Sequence, residues 1–216
     1  MKTADSVRVC LADPATQLPA VRRFWFDIYC RQMQRFGAVA ESGAEELHDP
    51  LAARSRIALA VETTTGRVIG TLMSTLSSES SVGDYEHLYG MGDCACHPFA
   101  TAIATKFMVH PEYRRSDLSL RLARFSYKEG LVAGVRRSFM DCNPPLIAFF
   151  LKLGYRPHLG WIDHPQFGRV FSMVLHLDDT PYLEAIDSPF LRTSLDGNDG
   201  AARELDHSVR QQLESR

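Results

Sequence analysis

No stretch of this sequence reaches the roughly 18 consecutive apolar residues that a membrane-spanning helix needs, so none is expected. Its first residues, Met1-Lys2-Thr3-Ala4-Asp5, lack the apolar core of a signal peptide, so the expected location is cytoplasmic. Cysteine is scarce: five residues, at positions 10, 30, 94, 96 and 142, form an odd and scattered set. Such a set reads as buried thiols, not as a disulfide framework. An excess of one charge is also missing. The 24 Lys and Arg against 26 Asp and Glu leave −2, which excludes nucleic-acid binding by bulk field. Internal repeats and low-complexity tracts are lacking too. What is present is an ordinary globular mixture, 45% apolar and 23% charged, in 216 residues. That length suits one large domain and is short for two full ones.

Periodicity supplies the elements. Pro19 to Phe36 is expected as a long amphipathic helix, with Pro19 in its first turn and Val21, Trp25, Ile28, Tyr29, Met33 and Phe36 at helical spacing. Ile57–Glu62 and Arg67–Thr75, joined across Thr63–Gly66, read as an antiparallel hairpin. Residues 77–101 show no period, and so long a connection is usually functional or mobile. Ala102–Val109 reads as a buried strand, Leu118 to Val132 as a helix and Arg137–Cys142 as a strand. Pro144–Leu153 fits a helix closed by Gly154, and Tyr155–Trp161 with Arg169–Leu177 a final strand pair. Beyond a turn-like 195–200, Leu205, Val209 and Leu213 fall every fourth residue, as in a short docking or self-association helix or a frayed terminus. The expected organisation is an α/β domain over 1–190, with a mixed, mostly antiparallel sheet, and a linker with a helical tail over 191–216.

The informative stretch is the reversal between the strand ending at Val109 and the helix opening at Leu118. A helix start offers free N–H groups and a positive dipole end, which suits phosphate. Between Lys106 and Arg137 eight basic residues face three acids, a local balance of +5 in a chain of net charge −2. A solvated, ordinarily charged helix face would show the same count.

Val109-x-Pro111-x-Tyr113-Arg114-Arg115-x-x-Leu118 resembles the strand-to-helix turn of the GNAT superfamily of acyltransferases. Asp141-Cys142-Asn143-Pro144 through Phe149-Phe150-x-x-Leu153-Gly154-Tyr155-Arg156 resembles the superfamily's later strand and helix. The likeness covers about residues 20 to 177. A narrower one follows. Phe24–Cys30, Asp49, Gly70-Thr71-Leu72 and Thr105-Lys106 are similar to the branch of N-acyl amino acid synthases and autoinducer synthases. His164-Pro165-x-Phe167-Gly168, Met173, Asp179 and Ser188-Pro189-Phe190 are similar to the end of some synthases of that branch.

The resemblance implies acyl transfer to the amine of a small acceptor such as an amino acid, from coenzyme A or an acyl-carrier protein. An acidic carrier would suit the local positive balance. It implies donor contacts from Met108, Val109, Arg114, Arg115, Ser116, Asp117, Leu118, Ser119, Asn143 and Phe150. Trp25, Tyr29, Asp49 and Lys106 would bind the acceptor, and Asp49, Lys106 and the main chain at Val109 would take part in the reaction. The chain also departs from the family. Asp117 and Ser119 stand where the turn usually has small residues, and Asp117 either opposes phosphate or caps the helix. Trp25, Met73 and Ile103 replace charged residues of the branch, and Lys106 replaces an Arg. Phe150 stands where many GNAT enzymes carry a proton-donating Tyr, and a Phe has no proton to give. Two other readings follow: a binder of carriers or acyl thioesters that has lost catalysis, and a plain acetyl-coenzyme A-dependent acetyltransferase.

Each candidate has a plainer reading. Asp49 could be a loop acid or cap, and Lys106 an outward strand residue. His110 reads as a surface His and Cys142 as a buried thiol. Phe107, Phe139, Phe149, Phe150 and Phe171 could line an acyl tunnel or simply fill a core. Cys94-x-Cys96-His97 places three soft ligands in four residues, but a zinc site normally has a second separated pair, so no metal is expected.

Overall fold

In the computed structural model the described residues are 6–34 and 45–191. Seven strands make one mixed sheet: β1 (Val7–Leu11), β2 (Arg56–Glu62), β3 (Val68–Leu76), β4 (Thr101–Val109), β5 (Arg137–Cys142), β6 (Arg156–His164) and β7 (Gly168–His176). Their order is β1-β2-β3-β4-β5-β7-β6. The flanking helices are α1 (Pro14–Phe26), α2 (Tyr85–Leu88), α3 (Leu118–Val132), α4 (Ile147–Leu153) and α5 (Thr180–Ala185). Among the described residues no helix is long and apolar enough to cross a membrane. The chain clusters into two compact units. The first takes residues up to Ser74 together with Lys106–Phe125; the second takes Thr75–Thr105 and the residues from Ser126 onward.

In the first unit, α1 starts five residues before the expected Pro19. Asp13 caps it, its carboxylate accepting from the Ala15 N–H at 3.0 Å, and Pro14 occupies the first helical position. Pro19 therefore lies inside the helix, where its missing N–H removes one bond. The regular helix ends at Phe26 and continues as a π-helical turn over Asp27–Gln32, short of Phe36. Leu18, Val21, Phe24 and Trp25 form its buried face. The strand β1 adds to the expected elements, its five residues of alternating burial carrying only a short sequence signal. It pairs antiparallel with β2 from Val7↔Glu62 to Leu11↔Ala58.

The β2–β3 hairpin forms where expected, from Arg56↔Ser74 to Val61↔Val68. A Cβ at Gly70 in β3 would lie 2.8 Å from Leu122 Cδ1 and 3.2 Å from the Met108 carbonyl, so any larger residue here requires Leu122 and the adjoining strand to shift.

In the second unit β4 and β5 run parallel over Thr101↔Arg137 to Ile103↔Phe139. β5 pairs antiparallel with β7, and β7 with β6. The expected helix 144–153 is a 3₁₀ turn, Pro144–Leu146, followed by α4. Gly154 closes α4 at φ 114°, a left-handed conformation suited to glycine. Ile103, Phe139, Met140, Leu153, Leu175 and Leu183 are core residues of this unit. The candidate tail helix over Leu205–Leu213 lies outside the described residues.

Candidate functional site

The structure brings together four of the sequence-derived site residues, all in the first unit. Trp25 comes from α1, Tyr29 from the π-helical turn, Asp49 from the segment before β2 and Lys106 from β4. Lys106 Nζ lies 2.8 Å from Asp49 Oδ2, and the two side chains are only 5% and 10% exposed. The same ammonium stands 5.9 Å from the Trp25 ring centroid and 5.6 Å from that of Tyr29, within cation–π range. Asp49 is held from its other oxygen, Oδ1, which accepts from the Leu51 N–H at 2.9 Å.

The strand is bent at this point. Lys106 has φ 52°, the left-handed region that a side chain disfavours. Such strain costs on the order of 1–3 kcal/mol and tends to persist at functional sites. Its carbonyl accepts from Thr71 Oγ1 at 2.9 Å, and that hydroxyl accepts from Trp25 Nε1, also at 2.9 Å. Thr71 is fully buried and was given no role from sequence. The available signal was a polar residue between Ile69 and Leu72 on a strand otherwise apolar there.

Three residues further on, the chain reaches the turn. His110 N–H bonds to the Ile69 carbonyl at 2.8 Å, and Pro111–Tyr113 make one 3₁₀ turn. Tyr113 is buried and its hydroxyl donates to Glu62, a buried carboxylate on β2 that also accepts from Thr65 Oγ1 at 2.7 Å. Glu62 and Tyr113 thus tie the turn to the hairpin, a connection that sequence spacing did not reveal. Arg114 Nε donates to the Val109 carbonyl at 3.1 Å and its Nη2 to Gln32 at 3.3 Å. Arg115 is exposed. The side-chain oxygen at the start of α3 comes from Ser116 instead of Asp117, the cap considered from sequence. Ser116 Oγ accepts from the Leu118 N–H at 3.2 Å while donating to the Tyr113 carbonyl at 2.7 Å. Met108, Val109 and Leu118 are buried, and Asp117 and Ser119 half-buried.

The local positive balance is not one exposed basic face. Arg124 and Lys128 are buried, while Arg136 and Arg137 both pair with Asp178 at 2.6 Å.

Asn143 and Phe150 belong to the second unit. Asn143 opens the 3₁₀ turn, its carbonyl accepting from the Leu146 N–H at 2.9 Å. Phe150 is 3% exposed, edge-on to Phe149 and Tyr155 with ring centroids 5.2 and 5.4 Å away. Cys142 lies against the Met173 sulfur at 3.7 Å. Burial, reinforced by Asp141, pushes its thiol up to about 11, which suits no nucleophile at neutral pH. No group of three or more His, Cys, Asp or Glu side chains placed to hold a metal is found among the described residues.

No protein-family model matches this chain, and no curated protein matches it. Solved structures do match, and they define the architecture as the GNAT-like acyltransferase fold. Among them are acyl-homoserine lactone synthases and an N-acyl amino acid synthase. The CoA-dependent acyl-homoserine lactone synthase BjaI, solved with SAM and isopentyl-CoA, is 14% identical with a TM-score of 0.65; the match covers 93% of this chain and 99% of BjaI. The CoA-dependent synthase MesI is 18% identical with a TM-score of 0.62, over 83% of this chain and 95% of MesI. FeeM, an N-acyl amino acid synthase from uncultured soil microbes, is 13% identical with a TM-score of 0.56, over 80% and 93%.

Proposed function

We propose that this chain is an N-acyltransferase that moves an acyl group from a thioester of coenzyme A, or of a phosphopantetheine carrier, to the amine of a small acceptor such as an amino acid. The observation that carries this reading is the convergence of Trp25, Tyr29, Asp49 and Lys106 around one buried ion pair, on the bent strand that leads into the phosphate-type turn.

A carboxylate beside an ammonium, walled by two aromatic rings, is complementary to an amine that itself carries a carboxylate. In this reading Asp49 receives the acceptor's ammonium and Lys106 its carboxylate, so the amine is oriented before it attacks. Orientation alone is worth several kcal/mol in a two-substrate transfer. The amine nitrogen attacks the thioester carbonyl, the C–N bond forms and the C–S bond breaks. The acceptor's ammonium gives up two protons in all: one passes to solvent before the attack, and the other balances the one gained by the departing thiolate. Main-chain N–H at Val109 would stabilise the oxyanion. Within the turn the N–H groups of Ser116 and Leu118 are already used. Donor phosphates therefore fall to Arg115 and to the amides of Asp117 and Ser119.

One feature favours a second reading, a binder that retains the fold without turnover. Phe150 is packed among aromatic rings and cannot protonate a thiolate. The two readings separate in one experiment. The protein is incubated with acetyl-, medium-chain and long-chain acyl-coenzyme A, or with acyl-carrier protein, and an amino-acid pool, and products are read by mass spectrometry. An acylated amine is the expected product. Donor binding without product supports the binder, product from acetyl-coenzyme A alone a plain acetyltransferase, and neither binding nor product overturns both.

A further inference from the structure

The pair Cys94 and Cys96 has no part in the proposed transfer. Their sulfurs lie 3.2 Å apart, on either side of Ala95, in the segment that precedes β4 in the second unit. We propose that Cys94 and Cys96 form a thiol–disulfide exchange site that closes to an intrachain disulfide with small-molecule disulfides of the glutathione class.

A disulfide requires sulfurs about 2.05 Å apart, so closure asks for an approach of only about 1.2 Å. The backbone already holds that approach. The Cys94 carbonyl accepts from the His97 N–H and the Cys96 carbonyl from the Ala100 N–H, both at 2.8 Å. Little chain entropy is left to lose when the ring closes. Both thiols are half-buried, within reach of a small reagent, whereas Cys30 and Cys142 are buried.

The neighbouring histidine is already engaged. His97, the one further soft ligand nearby in sequence, has Nδ1 2.8 Å from Thr101 Oγ1 and Nε2 3.4 Å from Glu86. Burial and the adjoining Cys94 hold the Cys96 thiol above its ordinary value, and Arg137 and Arg136 offset only part of that rise.

The chemistry proceeds in two displacements. One cysteine thiolate attacks a sulfur of the small disulfide, whose S–S bond breaks; a mixed disulfide forms and one small thiol leaves with a proton. The second cysteine thiolate attacks the protein sulfur of that mixed disulfide and expels the second small thiol. Two protein thiols lose two electrons, and the reagent disulfide gains them as two thiols.

The test uses the full chain, equilibrated at graded ratios of oxidised to reduced glutathione, quenched in acid, denatured and alkylated with N-ethylmaleimide. The peptide containing both cysteines is expected to become two hydrogens lighter and refractory to alkylation. The closed fraction should rise from about one tenth to about nine tenths over about a hundredfold change in the ratio of oxidised glutathione to the square of reduced. Cys94→Ser, unable to close the ring, is expected to hold glutathione on Cys96 as a lasting mixed disulfide. Alkylation of both cysteines at every ratio, or a glutathione adduct on the native pair without closure, would overturn the proposal.

Discussion

Neutralising Asp49 while keeping its shape isolates the worth of the buried pair. Asp49→Asn retains an oxygen for the Leu51 N–H and removes only the charge facing Lys106 Nζ at 2.8 Å. The ammonium is then left beside the Trp25 and Tyr29 rings with 5% of its side chain exposed. Breaking a buried ion pair by removing one partner costs about 3–5 kcal/mol, because the other charge stays behind. For a chain of this size each kcal/mol lowers Tm by roughly 2–4 °C, so a drop of about 6–20 °C is expected. Lys106→Met should cost a similar amount for the mirror reason. The double variant removes both charges and should be less destabilised than either single one, because replacing both partners leaves no orphaned ion. The assay is urea unfolding of all four proteins as a double-mutant cycle. Single variants within about 0.5 kcal/mol of the native chain, or strictly additive effects, would refute the reasoning.

Three further outcomes are expected. Thr71→Val removes the hydroxyl between Trp25 Nε1 and the Lys106 carbonyl and so takes two buried hydrogen bonds away; a loss of about 1–3 kcal/mol in urea unfolding is expected, and a neutral effect would show the relay to be idle. Gly154→Ala places a methyl against Leu183 at φ 114°, so a loss of about 2–5 kcal/mol is expected, checked by the same unfolding assay. Stability should also fall toward acid in two windows. Burial, with Arg137 and Arg156, holds the His176 pKa below its ordinary value, so the unfolded chain binds the extra proton first and stability drops as pH falls through about 6.5. Burial pushes the Asp178 carboxyl up, but the hydrogen bonds from Arg136 and Arg137 outweigh it and hold it low, so its contribution is present above about pH 4 and lost below. His176→Gln should flatten the first window and Asp178→Asn the second in pH-dependent unfolding; unchanged profiles would contradict these assignments.

Periodicity made the hairpin, β4, α3 and β5 legible because each combines a regular apolar pattern with turn residues at its ends. It misplaced α1 because two prolines competed for the first turn, and the cap from Asp13 decides in favour of Pro14. It missed β1, whose short alternation becomes a strand through pairing with β2. The candidate site was legible only through the family resemblance: Asp49, Lys106, Trp25 and Tyr29 come from separate stretches with no shared period, and they meet at one ion pair. Thr71 and Glu62 were not, because a buried relay between Trp25 and a bent strand, and an anchor for Tyr113, are tertiary facts with no period of their own. The basic balance misled in part, since counting charges cannot tell the buried Arg124 and Lys128 from a surface.

The most direct test is calorimetric binding of acyl-coenzyme A to the native chain, to Arg115→Ala and to Arg114→Ala/Arg115→Ala, at two salt concentrations. If the turn after Val109 grips a phosphorylated thiol donor, both variants should bind at least about tenfold more weakly, and raising salt should weaken the native chain most. Equal affinity in all three proteins, with the variants folded, would contradict the account.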